Sequence, residues 1–270
     1  FLFDFIRQFM IFDPQHPKPT LPSEWARQQG VLLAWPHEGT DWRTFLPEAT
    51  ETYTHIAKEI SEVEKVWVLC MDENHRTLLQ KILNHAKVNM ENISLVVEPY
   101  NDTWTRDYGP ITLQDPKTHQ RTLLDFQFNG WGNKYNAQKD NGITERLFTN
   151  GLLGESVAST HKRINLVLEG GGIESDGAGT LLSTPQCVFP RNPEYTPELL
   201  EQKLIDELRM QRILWLHSGH LENDDTDGHI DTLARFCTTE SIAYVACTQK
   251  KDPLYEGFLR MQQELEAFRT

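Results

Sequence analysis

Residues 166–216, LVLEGGGIESDGAGTLLSTPQCVFPRNPEYTPELLEQKLIDELRMQRILWL, contain one complete structural unit. Thr196 followed by Pro197 is typical of a helix start and predicts a helix over 197–209. Short apolar segments predict strands at 166–168, 173–174, 180–184 and 213–216. The last four elements follow the order strand, strand, helix, strand, which predicts a compact α/β unit.

A similar alternation of strands and helices runs through the rest of the chain, and no linker interrupts it. Strands are predicted at 31–35, 65–70, 93–97, 110–114, 121–127, 232–236 and 242–248. Helices are predicted over 44–61, 72–86 and 140–151, and from Pro253 onward, with Asp72 as an N-cap. The pattern indicates an α/β fold of repeated strand–strand–helix–strand units, although an ordinary α/β sheet fits it equally well. Four prolines within 13–22 predict an extended lead-in over 1–23, ahead of one domain over 24–270.

The composition is that of a folded protein with an acidic surface. The 270 residues include 39 acidic and 26 basic side chains, for a formal net charge of −13. This balance argues against nucleic acid as a partner and favours a cationic small molecule. No apolar run is long enough to predict a membrane span. The four cysteines form no CxxC pair, and three lie in apolar runs (Cys70, Cys237 and Cys247), which predicts buried thiols in a cytoplasmic protein.

Four polar segments next to predicted strands are candidates for chemistry. They are NDTWTRDYGP at 101–110, FQFNGWGNKY at 126–135, LEGGGIESDG at 168–177 and NDDTDGHID at 223–231. Simpler interpretations exist for the first two: a loop with an internal Arg106–Asp107 ion pair, and a hairpin with an Asn-Gly turn. The third lacks the spacing and the following helix of a phosphate loop, so its glycines predict close backbone approach to a ligand.

The segment at 223–231 carries four carboxylates and one histidine. If His229 and Asp231 share a strand, their side chains lie on the same face and the carboxylate raises the pKa of the imidazole. A solvated acidic loop is one alternative. A metal site built from His217, His220, His229 and Asp231 is another, whereas an EF-hand lacks the glycine and terminal glutamate that it requires.

Taken together with Trp35-Pro36 and Trp42, these segments resemble one family in their order along the chain. It comprises the agmatine deiminases and bacterial-type peptidyl-arginine deiminases of the guanidino-group-modifying, or pentein, superfamily. The resemblance implies a pentein α/β propeller of ββαβ units. It also implies hydrolysis of a guanidinium to a ureido group and ammonia, with no metal or organic cofactor.

The resemblance also implies roles for four residues. Asp107 and Asp231 each accept N–H groups of the guanidinium, for which paired carboxylates are suited. His229 protonates the departing ammonia and then deprotonates the hydrolytic water. Glu169 hydrogen-bonds His229 and keeps it charged and oriented.

Two further residues are implied to bind the rest of the substrate. Trp104 lies against the alkyl chain, and Asp225 receives the distal ammonium of agmatine. We therefore expect an agmatine deiminase that forms N-carbamoylputrescine. These expectations are compatible with a homo-oligomer. A peptidyl-arginine deiminase, a guanidine-binding or polyamine-binding protein without turnover, and a metal-dependent hydrolase are the alternatives.

The family's nucleophilic cysteine is not identified among the four cysteines. In the family it lies near the C-terminus, in a Gly-x-x-His-Cys-like context that none of them shares. We therefore expect the chain to be C-terminally incomplete, with the Cys-bound amidino intermediate formed on a residue outside it.

Overall fold

The structure is a computed structural model that describes residues 20–154 and 157–268. These residues form eleven strands and eight helices. The strands are β1 Gly30–Ala34, β2 Lys65–Cys70, β3 Ile93–Val97, β4 Ile111–Gln114, β5 Arg121–Gln127, β6 Thr160–Val167, β7 Ile173–Ser175, β8 Thr180–Ser183, β9 Arg212–Trp215, β10 Ala234–Thr238 and β11 Ser241–Tyr244. The helices are α1 Leu46–Ser61, α2 Glu73–His85, α3 Thr105–Tyr108, α4 Gly130–Asn133, α5 Ile143–Thr149, α6 Pro185–Arg191, α7 Pro197–Leu208 and α8 Tyr255–Ala267.

The strands form four small sheets rather than one large sheet. Two of these sheets have the predicted order: β4 and β5 are antiparallel, and β6 returns parallel to β5 after α5. In the same way β7 and β8 are antiparallel, and β9 returns parallel to β8. The hairpin of β10 and β11 followed by α8 repeats the first part of this unit. The predicted α/β class is therefore confirmed.

The first sheet departs from the repeated unit, because β1, β2 and β3 are all parallel. Parallel neighbours need crossover connections, and α1 and α2 supply them. The Asp72 side chain accepts a hydrogen bond from the amide of His75 at 2.8 Å, which confirms it as the N-cap of α2. Leu79 and Leu83 of α2 are buried against this sheet.

Helix α7 covers the sheet of β7, β8 and β9 in a similar way. The Thr196 side chain accepts from the amide of Leu199 at 3.3 Å, and Pro197 is the first helical residue, as predicted. Three leucines spaced four residues apart face the core: Leu200, Leu204 and Leu208. No helix in the described part of the chain combines the length and the apolar character that a membrane span requires.

Two predictions need correction. The domain begins before residue 24, because Thr20 bridges to Gln114 and the Leu21 side chain is buried in the core. The rest of the predicted lead-in, residues 1–19, lies outside the described residues. Cys70 is buried as expected, but Cys237 is exposed near the turn between β10 and β11, and Cys247 is partly exposed. Apolar neighbours in a short hairpin therefore do not ensure burial.

Candidate active site

Each repeated unit is preceded by one short helical turn, and these three turns lie side by side. Helix α3 precedes β4, the 3-10 turn Gly170–Gly172 precedes β7, and the 3-10 turn Ile230–Thr232 precedes β10. The middle turn contacts both of the others. Since each unit starts at this junction, polar side chains from three distant segments meet there.

The central contact is a hydrogen bond between Glu169 and His229, which immediately precede their respective 3-10 turns. His229 Nε2 lies 2.8 Å from Glu169 Oε2, and both side chains are buried. The predicted strand at 232–236 starts two residues later, at Ala234, so His229 and Asp231 do not share a strand. The intervening 3-10 turn nevertheless directs both side chains to the same site.

The other imidazole nitrogen of His229 faces two carboxylates. Its Nδ1 atom lies 3.6 Å from Oδ1 of Asp107 and 4.0 Å from Oδ1 of Asp231. Asp107 is held by two donors, the indole Nε1 of Trp131 at 2.9 Å and the amide of Gly171 at 3.0 Å. The imidazole therefore lies between one carboxylate on its Nε2 side and two on its Nδ1 side.

Gly171 marks the point where these groups converge. A Cβ atom on this residue would lie 2.5 Å from His229 Nδ1 and 2.8 Å from both Asp107 Oδ1 and Asp231 Oδ2. Because both carboxylate oxygens lie 2.8 Å from the same point, the distance between them is at most twice 2.8 Å. A planar cation with N–H groups on two edges can bridge such a gap.

Glu169 has two further partners that the sequence did not predict. Arg191 donates from Nε to Oε1 at 3.0 Å, and the Cys187 thiol donates to Oε2 at 3.4 Å. Both belong to α6, a short helix that was not predicted and that contains Pro185 and Pro190. Pro185 is tolerated in the first turn, and α6 ends one residue after Pro190. The signal available in the sequence was the four-residue spacing of Cys187 and Arg191, which places both side chains on the same face of a helix.

The electrostatics of the site follow from burial and from this arrangement of charges. Burial acts to lower the pKa of His229, but the hydrogen bond to Glu169 and the charges of Asp107, Glu169 and Asp231 outweigh it and raise the pKa. Burial acts to raise the pKa of Glu169, yet the hydrogen bond from His229 and the charge of Arg191 bring it below its usual value. This combination favours an ionised Glu169 beside a protonated His229.

The two carboxylates on the Nδ1 side behave differently. Burial raises the pKa of Asp107, and the His229 charge and the Trp131 hydrogen bond offset only part of that. Burial also raises the pKa of Asp231, against the charges of His229 and Arg106. A cationic ligand between these carboxylates would favour their ionised forms.

Trp104 and Asp225 do not join this central group. Trp104 immediately precedes α3, and its side chain is exposed next to Trp42, with ring centroids 6.2 Å apart. Asp225 is exposed and accepts a hydrogen bond from the Tyr135 hydroxyl at 2.9 Å. Both therefore occupy surface positions.

Two alternative interpretations of the polar segments are wrong. Arg106 pairs with Glu24 at 2.8 Å rather than with Asp107. The acidic segment is not simply solvated, because Asp224 accepts from the amides of Thr226 and Gly228 and so holds the loop before the histidine.

The alternative metal site is also not formed. In residues 20–154 and 157–268, the one group of three candidate metal ligands is Glu169, Cys187 and His229, all buried. His217 and His220 instead line a separate cavity near Arg260. A cation on Glu169 would have to compete with the guanidinium of Arg191, which pairs with the same carboxylate.

The sequence model of the Porphyromonas-type peptidyl-arginine deiminase family matches residues 20–270. The chain belongs to this family. A provisionally named agmatine deiminase of Vibrio parahaemolyticus is 34% identical over 248 residues, which is 91% of this chain. The chain spans only 66% of that relative's length, and 62% of a similarly named Yersinia pestis protein.

Solved structures of family members are also similar. A cysteine-to-serine variant of C. jejuni agmatine deiminase with substrate bound has a TM-score of 0.82 and 31% identity, and covers 92% of this chain and 71% of its own. A provisionally named arginine deiminase of Porphyromonas gingivalis also has a TM-score of 0.82, with 39% identity, and covers 93% of this chain and 73% of its own.

Proposed function

We propose that the protein hydrolyses the guanidinium group of agmatine to N-carbamoylputrescine and ammonia. The observation that carries the proposal is the convergence of Asp107, Asp231 and His229 beside Gly171. A guanidinium is planar and permanently charged, and it offers N–H pairs along its edges. The two carboxylates would accept these N–H groups and fix the plane, with the imidazole beside one amino nitrogen.

The proposed reaction uses His229 twice. A cysteine thiolate attacks the guanidinium carbon and forms a C–S bond in a tetrahedral intermediate. One C–N bond then breaks, and the imidazolium gives its proton to the departing ammonia, leaving an amidino thioether. The neutral imidazole removes a proton from water, which adds to the same carbon. The C–S bond breaks, the thiolate is regenerated, the hydroxyl proton of the intermediate passes to solvent and the neutral ureido product is released.

We propose that this thiolate belongs to a segment outside these 270 residues. Cys187 is the one cysteine of the described residues within the group around Glu169 and His229. Its thiol donates to Glu169, on the Nε2 side of the imidazole, whereas the carboxylates face Nδ1. Burial and the Glu169 charge raise the pKa of this thiol well above its usual value, which disfavours the thiolate.

The surface near the site supports a substrate whose far end is cationic. Asp225 offers an exposed carboxylate beside Tyr135, and we propose that it would accept the distal ammonium of agmatine. A peptidyl-arginine substrate, the alternative that the family name suggests, would need a group that binds peptide carbonyls or a carboxylate. The cationic side chains of Arg191 and Lys134 do not supply this group, because they are already paired with Glu169 and Asp227 respectively. Trp104 would lie against the alkyl chain between the two ends.

We also propose that the protein is a pentein propeller, acts in polyamine biosynthesis and is cytoplasmic. The two complete strand–strand–helix–strand sheets, and the third that begins in the same way, support a pentein propeller. An N-carbamoylputrescine product would place the enzyme in polyamine biosynthesis. The four free cysteines are compatible with a cytoplasmic location.

The test is ammonia release by the full-length protein from agmatine, free arginine and a blocked arginyl peptide. We expect agmatine to be preferred, and Asp107→Asn and His229→Asn each to lower kcat/KM by about 10²–10⁴-fold. Asp206→Asn, at an exposed carboxylate on α7, is the matched control and should leave the rate unchanged. A preference for the peptide would favour the alternative substrate, and full activity in either site variant would refute the residue roles.

If no substrate releases ammonia, calorimetry with agmatine and putrescine distinguishes a binding protein from a protein without affinity for these ligands. Binding that is lost in Asp107→Asn would then support a guanidine-binding role without turnover.

A further inference from the structure

We propose that Arg191 is a positioning residue that holds Glu169 as an anion against His229 and links this pair to the acidic loop 224–228. The inference rests on the proposed function, because it assigns a role within the same site. It concerns a residue that makes no direct contact with the carboxylates that would hold the substrate.

The contacts of Arg191 leave its guanidinium in one orientation. Nε donates to Glu169 Oε1 at 3.0 Å, and Nη2 lies 3.5 Å from the second oxygen, so one edge faces the carboxylate. Nη1 donates to Asp227 Oδ2 at 2.8 Å, and Nη2 donates to the carbonyl of Thr226 at 3.1 Å. The arginine side chain is only 4% exposed. A buried guanidinium with this many partners is rigid.

The surrounding backbone is built to accept this side chain. The Asn192 side chain accepts from the amide of Val167 and donates to its carbonyl, both at 2.9 Å. These bonds fix the end of β6, two residues before Glu169. Gly132 leaves room on the other side, because a Cβ atom there would lie 2.7 Å from Nη1 of Arg191. The arginine and the glutamate are thus anchored to the same local framework.

The charge of Arg191 changes how Glu169 and His229 share their protons. A buried carboxylate beside an imidazolium can take the proton of the hydrogen bond, which leaves both groups neutral. The adjacent guanidinium favours the anion and so lowers the pKa of Glu169. The imidazole then keeps its Nε2 proton, and the Nδ1 side remains free to exchange protons with substrate and water.

Asp227 extends the connection outward. Its second oxygen accepts from Lys134 at 2.8 Å, and Lys134 also donates to the carbonyl of Asp225 at 2.7 Å. A continuous series of contacts therefore runs from the backbone of Asp225, the residue proposed to bind the distal ammonium, through Lys134, Asp227 and Arg191 to Glu169. We infer that the loop cannot shift without moving the anchor of the proton-transfer pair.

The experiment compares Arg191→Gln, Arg191→Lys and wild type in the full-length protein. We expect Arg191→Gln to lower kcat about 100-fold, the effect of a misplaced catalytic group. KM for agmatine should change much less than kcat, because Asp107 and Asp231 are untouched and Lys134 still holds Asp225 and Asp227. Arg191→Lys keeps the charge and should recover part of kcat. Arg76→Gln removes an exposed arginine paired with Glu73 and is the control without effect.

A second readout separates positioning from simple structural support. Labelling the histidines with ¹³C and assigning the His229 signal by its loss in His229→Asn allows the titration of His229 to be followed by NMR. Removing the cation in Arg191→Gln should lower the pKa of His229, because a neutral Glu169 no longer stabilises the imidazolium, whereas Arg191→Lys should leave this pKa near wild type. The other residues that act on this imidazole are not mutated in either variant: Asp107, Glu169, Cys187, Asp224 and Asp231.

The outcomes are distinct. Wild-type kcat and wild-type His229 titration in Arg191→Gln would overturn the proposal. So would an Arg191→Lys variant as impaired as Arg191→Gln with the His229 titration unchanged in both, since that pattern indicates a structural role. If Arg191→Gln does not fold, the lysine variant decides between these results. Wild-type protein that releases no ammonia would refute the proposed function, while the titration would still test the contact.

Discussion

Replacing Gly171 by alanine should abolish most activity and leave the fold intact. The backbone of Gly171 is not in the left-handed region, so alanine can adopt its conformation. The new methyl group, however, would lie 2.5 Å from His229 Nδ1 and 2.8 Å from oxygens of Asp107 and Asp231. Ordinary contacts of a Cβ atom begin at 3.4 Å, so the imidazole must recede by about 0.9 Å and each carboxylate oxygen by about 0.6 Å.

Displacements of this size have a predictable consequence for the rate. A shift of about 1 Å in a catalytic group costs roughly 100-fold, which corresponds to about 2.7 kcal/mol in activation free energy. Extra volume in a packed region lowers the free energy of unfolding by about 1–3 kcal/mol. The variant should therefore remain folded while kcat/KM for agmatine falls by about two orders of magnitude or more.

The two neighbouring glycines serve as controls in the same turn. A Cβ on Gly172 would meet only the Cys187 sulfur at 3.3 Å and a carbon of His229 at 3.9 Å, so Gly172→Ala should keep most of the activity. A Cβ on Gly170 would lie 2.0 Å from the backbone carbonyl of Arg106, which cannot move without shifting α3. Gly170→Ala should therefore lower stability and activity together.

The assay pairs steady-state ammonia release with urea denaturation for the three alanine variants. The expected pattern is loss of activity alone at Gly171, loss of both activity and stability at Gly170, and retention of both at Gly172. Near wild-type activity in Gly171→Ala would show that the three side chains do not act at this point. It would refute the geometric basis of the proposed site.

Three further predictions concern other contacts. Trp131→Phe keeps an aromatic ring but removes the donor to Asp107. We expect the activation free energy to rise by about 1.5–3 kcal/mol, which lowers kcat/KM roughly 10–100-fold, with little change in fold by circular dichroism. The pKa of His229 is raised above its ordinary 6.5, so its contribution to stability should be complete below pH 6.5 and lost as the pH rises through the raised value. The measurement is the difference in free energy of unfolding between wild type and His229→Asn, obtained by urea denaturation across pH. A difference that grows as the pH rises would contradict the prediction. Asp72→Ala removes the N-cap contact with the amide of His75 and should lower the free energy of unfolding by about 1 kcal/mol while leaving ammonia release unchanged.

Local sequence signals predicted much of the fold. Asp72 and Thr196 marked helix starts because their side chains satisfy backbone amides that the first turn leaves unpaired. Apolar segments located most strands because alternate side chains must be buried. The same signals failed at 232–236, where a 3-10 turn replaces the start of the strand, and at α6, a short helix that contains two prolines and was not predicted.

The polar segments identified the candidate residues but not all of their partners. The four polar segments were selected because they lie beside apolar strands, and the resemblance to the deiminase family then implied roles for Asp107, Glu169 and His229 within them. That Glu169 accepts from both His229 and Arg191 could not be read from spacing, because these contacts join segments far apart in the sequence.

By itself, the sequence determined which residues have the chemistry for this site: carboxylates, an imidazole and glycines in turns before strands. Only the tertiary structure decided that these turns adjoin, that Gly171 lies where three side chains converge, and that Arg191 completes the environment of Glu169. The physical reason is that helix and strand signals arise from neighbours along the chain. The charge and proton affinity of a buried group depend instead on whatever the fold packs around it.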